Sequence, residues 1–70
     1  MNENMIFKTV TNDIDDLQSG DIANVLTTRK PKSGDIVLCG QSEADSCFVM
    51  FNEQNNILGT VDGRYRKVVH

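Results

Sequence analysis

The chain consists of short apolar runs separated by polar turns, and each run has the composition of a β-strand. The first run partly alternates, with Met5, Phe7 and Thr9 on one face of the strand and the intervening residues on the other. The predicted strands are Met5–Val10, Asp21–Thr28, Asp35–Cys39, Cys47–Asn52 and Ile57–Val61. Five or six short strands with turns between them predict a mostly β fold, a small antiparallel rolled sheet or barrel.

The tetrapeptide Ser-Gly-Asp-Ile occurs twice, at Ser19–Ile22 and at Ser33–Ile36, and each copy opens an apolar run. Glycine readily adopts the positive φ of a tight turn, and aspartate bonds to nearby backbone groups. A β-branched residue then begins a strand. The two copies therefore predict two successive corners of one rolled sheet rather than a duplicated unit.

Between the first two strands, residues 12–19 are too polar for a strand and predict one short helical turn. Asn12 or Asp13 would serve as its N-cap, and Asp15 and Asp16 favour a first turn. Gly20 would close it.

The dipeptide Asp62-Gly63 allows two interpretations. It is a strong two-residue hairpin signal, which would pair Thr60 with Tyr65 and Leu58 with Lys67. Alternatively, Gly63 lies at a bulge inside one strand from Ile57 to Val69. Composition alone favours the hairpin.

The length of 70 residues predicts a single domain of marginal stability, with residues 1–4 frayed. The net charge of −3 weighs against a broad basic face for nucleic acid. No signal peptide or membrane span is visible, so the expected location is the cytoplasm. Two basic clusters remain as possible phosphate contacts, and they contain Arg29, Lys30, Lys32, Arg64 and Arg66.

The two cysteines, Cys39 and Cys47, are symmetric about Glu43 and would face each other across a hairpin. Such a pair could form a disulfide or share a metal, but two small buried hydrophobic residues are the simpler interpretation. A zinc site needs four ligands, and the sole histidine is His70. We expect reduced thiols, no metal and no cofactor.

The order of these features resembles the C-terminal domain of the LexA, UmuD and phage-repressor family of self-cleaving serine peptidases. The resemblance covers about Val10 to Val68. It rests on two Gly-Asp strand starts, at Gly20 and Gly34, a charged connector, Arg29–Lys32, and the terminal run Ile57–Arg66. In the family the terminal run is one continuous strand, so the resemblance favours a bulge near Gly63 over the hairpin.

The resemblance also implies that catalysis is lost. The position of the family's nucleophilic serine falls at Asn12, and that of its lysine falls near Met50. Neither side chain can perform the base-activated attack. The chain is therefore predicted not to be an enzyme.

These observations predict a phage- or mobile-element-type regulatory module that acts by protein contact or self-association, with a LexA-like regulator as one possible partner. The expected contact residues are Phe48, Met50, Tyr65 and Val68, because an edge strand can add to another sheet. The alternative is a small nucleic-acid-binding barrel that uses the two basic clusters, Arg29–Lys32 and Arg64–Lys67.

Overall fold

The computed structural model describes residues 4–53 and 56–66 as one five-stranded antiparallel sheet. The strands are β1 (Met5–Thr9), β2 (Ile22–Leu26), β3 (Ile36–Gly40), β4 (Ser46–Met50) and β5 (Ile57–Tyr65). Their order across the sheet is β1-β2-β5-β3-β4, so β1 and β4 are its edges. The predicted mostly β, antiparallel fold is confirmed, and the sheet is not closed into a barrel.

The sheet curls over one of its faces, which carries the core. Leu38 and Val25 are fully buried there, and Phe48 is nearly so. Lys8 of edge strand β1 donates a hydrogen bond to the carbonyl oxygen of Glu43, in the turn between β3 and β4 (3.0 Å). This contact joins elements from opposite sides of the strand order, as expected for a rolled sheet.

The two Ser-Gly-Asp-Ile segments form the same turn. Gly20 and Gly34 have φ angles of 97° and 95°, the positive values found at the third residue of a type II turn. In each turn the aspartate N–H donates to the carbonyl oxygen three residues earlier, and its carboxylate accepts from that residue's N–H. The repeated tetrapeptide thus specifies two equivalent corners, each followed by a strand.

The helical turn predicted for residues 12–19 is not confirmed. Instead, Ile14 and Leu17 exchange both backbone hydrogen bonds, at 2.9 and 2.8 Å, across a two-residue turn. Asp15 has a φ of 49°, a left-handed conformation that aspartate tolerates better than most residues. The backbone therefore turns as a tight hairpin, and Ile14 and Leu17 still pack on the core as apolar neighbours.

Of the two interpretations of Asp62-Gly63, the hairpin that composition favours is wrong, because β5 continues through this dipeptide to Tyr65. Asn24 of β2 pairs with Gly63, whereas the adjacent Val25 pairs with Val61, so Asp62 is the extra residue of a β-bulge. The strand is central and pairs with both β2 and β3. A hairpin at Asp62-Gly63 would have removed the hydrogen-bonded pairing between β2 and the second half of β5. The continuous strand implied by the LexA resemblance is confirmed as far as Tyr65.

Candidate interaction surface

Four large apolar side chains lie exposed on the side of the sheet opposite the core. They are Met5 and Phe7 of β1, Ile22 of β2 and Tyr65 of β5, with exposed fractions of 47%, 54%, 42% and 60%. The strand register places them on one side, since Thr9 pairs with Ile22 and Ile22 pairs with Tyr65. We call these four residues the apolar face.

The apolar face borders a buried part of the same side of the sheet. Leu26, which pairs with Met5, and Thr60, which pairs with Leu26, are buried there. The Thr60 hydroxyl donates to the carbonyl oxygen of Arg29 (3.0 Å), so the connector after β2 lies against this part of the sheet. The side chains of Met5, Phe7, Ile22 and Tyr65 remain exposed beside it.

An aromatic contact crosses strand β2 within the apolar face. The rings of Phe7 and Tyr65 lie 6.0 Å apart between centroids at an angle of 45°, a favourable tilted geometry. Between them in the register lies Asn24, which pairs with Phe7 on one side and Gly63 on the other. Its Oδ1 is buried and has no hydrogen-bond partner among the described residues. The acceptor is therefore unsatisfied within the described part of the chain.

The edge strand beside the apolar face offers backbone hydrogen-bonding groups. Thr27 donates to the carbonyl of Asn4, and Val10 donates to that of Asp21. Hydrogen-bonded pairs alternate along an antiparallel ladder, so the even-numbered residues of β1 bond to β2. The N–H and C=O groups of Met5, Phe7 and Thr9 therefore point outward, and no described strand pairs with them.

An ion pair between a buried aspartate and a partly exposed arginine anchors the end of β5 that carries Tyr65. Arg66 donates from Nε and Nη2 to the two carboxylate oxygens of Asp21, both at 2.9 Å. Asp21 is only 2% exposed, also accepts from the Gln18 N–H at 2.9 Å, and lies 3.5 Å from Nε of Arg64. A two-pronged bond of this kind fixes orientation as well as position.

The hydrogen bonds from Arg66 hold the pKa of Asp21 at about 2, below its ordinary value of 3.8, and the Gln18 N–H acts in the same direction. Burial opposes this shift but does not cancel it. The same pairing raises the pKa of Arg66. Both groups are therefore charged at neutral pH, and the end of β5 is held against the corner at Gly20.

The residues predicted to contact phosphate do not form a free basic surface. Arg64 and Arg66 face Asp21, and Arg29 forms an ion pair of 2.6 Å with Asp62 at the bulge. The exposed lysines, Lys30 and Lys32, lie in the connector between β2 and β3. Three of the five predicted positive charges thus face two carboxylates within the chain, because Arg64 and Arg66 share Asp21.

The other predicted positions are distributed over both edges. Asn12 is exposed in the loop after β1, and Met50 is 40% exposed at the end of β4. Phe48, predicted as a contact residue, is 4% exposed and packs in the core, so its side chain is not available at the surface. Val68 lies outside the described residues.

The two cysteines lie opposite each other in the ladder between β3 and β4, as the symmetry about Glu43 predicted. Both are thiols, and Cys47 is exposed. Among residues 4–53 and 56–66, no group of three or more His, Cys, Asp and Glu side chains is placed to hold a metal ion.

A cleft of about 170 Å³ lies between the turn at Asp15–Leu17 and the bulge of β5. Asp16, Asp62 and Arg64 contribute its polar lining. Ligand pockets are commonly about 300–1,000 Å³, so this cleft is small for an organic ligand. The apolar face is the more prominent feature of the surface.

Sequence reasoning identified Tyr65 but not Met5, Phe7 or Ile22. The signal was present in the alternation of β1, which separates Met5, Phe7 and Thr9 from Ile6 and its neighbours. Alternation alone does not say which of two apolar faces meets the core.

Comparisons of the chain with family models, with curated proteins and with solved structures find no significant match. In the part of the chain that the structure describes, no helix is long and apolar enough to cross a membrane.

Proposed function

We propose that this chain is a non-enzymatic interaction module that binds protein through the apolar face and the adjoining edge strand β1. The observation that carries the proposal is the grouping of Met5, Phe7, Ile22 and Tyr65, each 42–60% exposed, beside backbone groups of β1 with which no described strand pairs. Four such side chains leave on the order of 400 Å² of apolar surface, a patch size that often marks an interaction site.

The apolar face is held in a fixed position, which favours binding of a partner. Arg66 and Asp21 hold the strand end under Tyr65 in place, so its side chain need not be ordered anew when a partner binds. Tyr and Phe supply large contact areas at low cost in side-chain entropy.

The LexA resemblance suggests a regulatory setting for this contact, such as a phage or other mobile element, with the catalytic dyad replaced at Asn12 and Met50. Nucleic-acid binding is less well supported, because Arg29, Arg64 and Arg66 already face carboxylates. The net charge of −3 also opposes a phosphate backbone.

The proposal is tested by comparing two double variants with the wild-type chain. Phe7→Ser with Tyr65→Ser removes the aromatic pair of the apolar face, whereas Lys30→Ser with Lys32→Ser removes two exposed charges elsewhere. Self-association is measured by sedimentation, and proteins retained from a cell extract of the source are identified by mass spectrometry. We expect the aromatic variant to lose binding by roughly tenfold or more while the lysine variant keeps it.

Two results would overturn the proposal. One is a wild-type chain that neither self-associates nor retains any protein. The other is loss of binding in the lysine variant alone, accompanied by affinity for DNA or RNA that falls steeply with added salt. Circular dichroism establishes that each variant is folded before binding is compared.

A further inference from the structure

We infer that the partner of edge strand β1 is a second copy of this chain, paired antiparallel about a two-fold axis at Phe7. This inference rests on the proposed function and names its partner.

The alternation of inward and outward backbone groups along β1 allows two copies of the strand to form a ladder with each other. The residues with outward N–H and C=O groups are Met5, Phe7 and Thr9, and they are symmetric about Phe7. A two-fold axis at Phe7 pairs it with Phe7 of the second copy, and pairs Met5 with Thr9 in both directions. Every outward group then finds a partner, giving about six hydrogen bonds between the chains. An axis at Met5 or Thr9 would leave part of the strand unpaired.

The charge on β1 is compatible with this register. Lys8 is the one charged residue of the strand, and it points to the core side, where it donates to the Glu43 carbonyl oxygen. With the axis at Phe7, Lys8 lies opposite Ile6 of the second copy rather than opposite another lysine. The arrangement therefore avoids the like-charge pair that destabilises directly opposed positions.

The side chains on the exposed side extend the aromatic contact across the axis. Directly opposed residues have Cβ atoms about 4.5–5.5 Å apart, so the two Phe7 rings would meet. Each Phe7 already contacts Tyr65 of its own chain at 6.0 Å between ring centroids. Pairing thus joins the two apolar faces into one row and shields part of Phe7, which is 54% exposed in the single chain.

The opposite edge is a poorer candidate for the same pairing. In the ladder between β3 and β4, the Phe51 N–H donates to the carbonyl oxygen of Asp35. Because hydrogen-bonded pairs alternate along the ladder, the N–H and C=O groups of Phe48 point outward. However, the Phe48 side chain is only 4% exposed and already packs in the core. Pairing at β4 would therefore shield little additional aromatic surface.

A single pair of five-residue strands makes a small interface, so we expect the dimers formed through β1 to be weak and concentration-dependent.

The test places opposite charges at the proposed axis. The full chain is prepared as wild type, as Phe7→Lys and as Phe7→Glu, and each is examined by sedimentation over a wide range of concentration. We expect the wild type to dimerise and each variant alone to weaken the dimer by roughly tenfold or more, because like charges meet at the axis. Mixing the two variants should restore dimers, since opposite charges then meet. Gln41→Lys, at an exposed position in the turn between β3 and β4, is the matched control and should dimerise like the wild type.

A lack of rescue in the mixture would overturn the proposed register, and a dimer unaffected by either Phe7 variant would overturn the use of β1. A wild-type chain that stays monomeric throughout would overturn the self-pairing. In that last case the proposed function still stands if the chain retains another protein that the Phe7 and Tyr65 double variant loses. Circular dichroism distinguishes loss of pairing from loss of fold.

Discussion

Two aspartates with the same local role differ in their distant contacts. Asp21 and Asp35 each follow a glycine of positive φ, and each caps its own turn through the N–H three residues earlier. Only Asp21 is joined by Arg66, which lies 45 residues away in sequence. The first corner of the sheet is therefore tied to the last strand, and Tyr65 is held between the two arginines at that point.

This ion pair predicts a loss of stability in acid. The pKa of Asp21 is about 2 in the folded chain against an ordinary value of 3.8, so the unfolded chain binds more protons between these pH values. The stabilisation is fully present above the ordinary value and is lost as the pH falls through about 2. Urea unfolding of wild type and Asp21→Asn should show a difference in stability that shrinks over this interval.

Asp45→Asn, which alters an exposed carboxylate in the turn before β4, is the control and is unfolded in urea over the same range of pH. A difference between wild type and Asp21→Asn that persists undiminished at pH values near 2 would contradict the assignment to Asp21.

Oδ1 of Asn24, which has no hydrogen-bond partner in the described part of the chain, predicts a stabilising substitution. A buried acceptor without a hydrogen bond lowers stability, and valine favours strands, so Asn24→Val should raise the free energy of unfolding by about 1 kcal/mol. Asn24→Asp should lower it, because a charge would be buried without a partner. Urea unfolding at neutral pH measures both changes. A destabilised valine variant would show that the oxygen does have a partner.

At the scale of elements, β5 is the central strand on which the sheet depends. It pairs with β2 and with β3, and it has an extra residue at Asp62 opposite β2. A further register shift, at Leu58, lies opposite β3. These irregularities allow one strand of nine residues to pair with two shorter strands, and they increase the local twist of the sheet.

Two glycines of β5 should respond differently to substitution by alanine. A Cβ at Gly59 would lie 2.5 Å from Cγ1 of Val25 and 2.9 Å from the carbonyl oxygen of Leu26. Gly59→Ala should therefore cost about 1–3 kcal/mol through overpacking. At Gly63 the added Cβ would meet no atom within 4 Å, so Gly63→Ala should change stability by less than about 0.5 kcal/mol. Thermal unfolding compares the two, and equal melting temperatures would contradict the close approach at Gly59.

At the scale of the whole molecule, the core is small and depends on a few aliphatic side chains. A chain of this length is expected to have a free energy of unfolding of about 4–10 kcal/mol. Leu38 is completely buried at the centre of β3, and it pairs with both Phe48 and Gly59. Its contacts therefore join one edge of the sheet to its central strand.

We expect Leu38→Ala to remove about 2–5 kcal/mol, a large share of the total stability, by leaving a cavity that the sheet cannot fill. Met5→Ala, at a side chain that is 47% exposed, should be nearly neutral and serves as the control. Melting curves followed by circular dichroism measure both. An unchanged melting temperature for Leu38→Ala would show that the core does not depend on this residue.

Much of the fold was predictable because it depends on local preferences. The five strands follow from runs of apolar and β-branched residues, and the two corners follow from glycine and aspartate at fixed offsets. The facing of Cys39 and Cys47 follows from the length of one hairpin. The turn at Asp15 is a tight hairpin and not the predicted helical turn. The sequence does not distinguish the two, because acidic residues favour both a first helical turn and a tight hairpin.

The sequence by itself determined the class of fold, the two corners at Gly20 and Gly34 and the alternation of β1. Tertiary structure alone decided that Asp21 rather than Asp35 meets Arg66, that β5 passes through Asp62-Gly63, and that the side of β1 with Phe7 faces outward. These outcomes depend on which strands become neighbours. Contacts between residues distant in sequence leave no mark on local periodicity or composition, and the candidate interaction surface is built from such contacts.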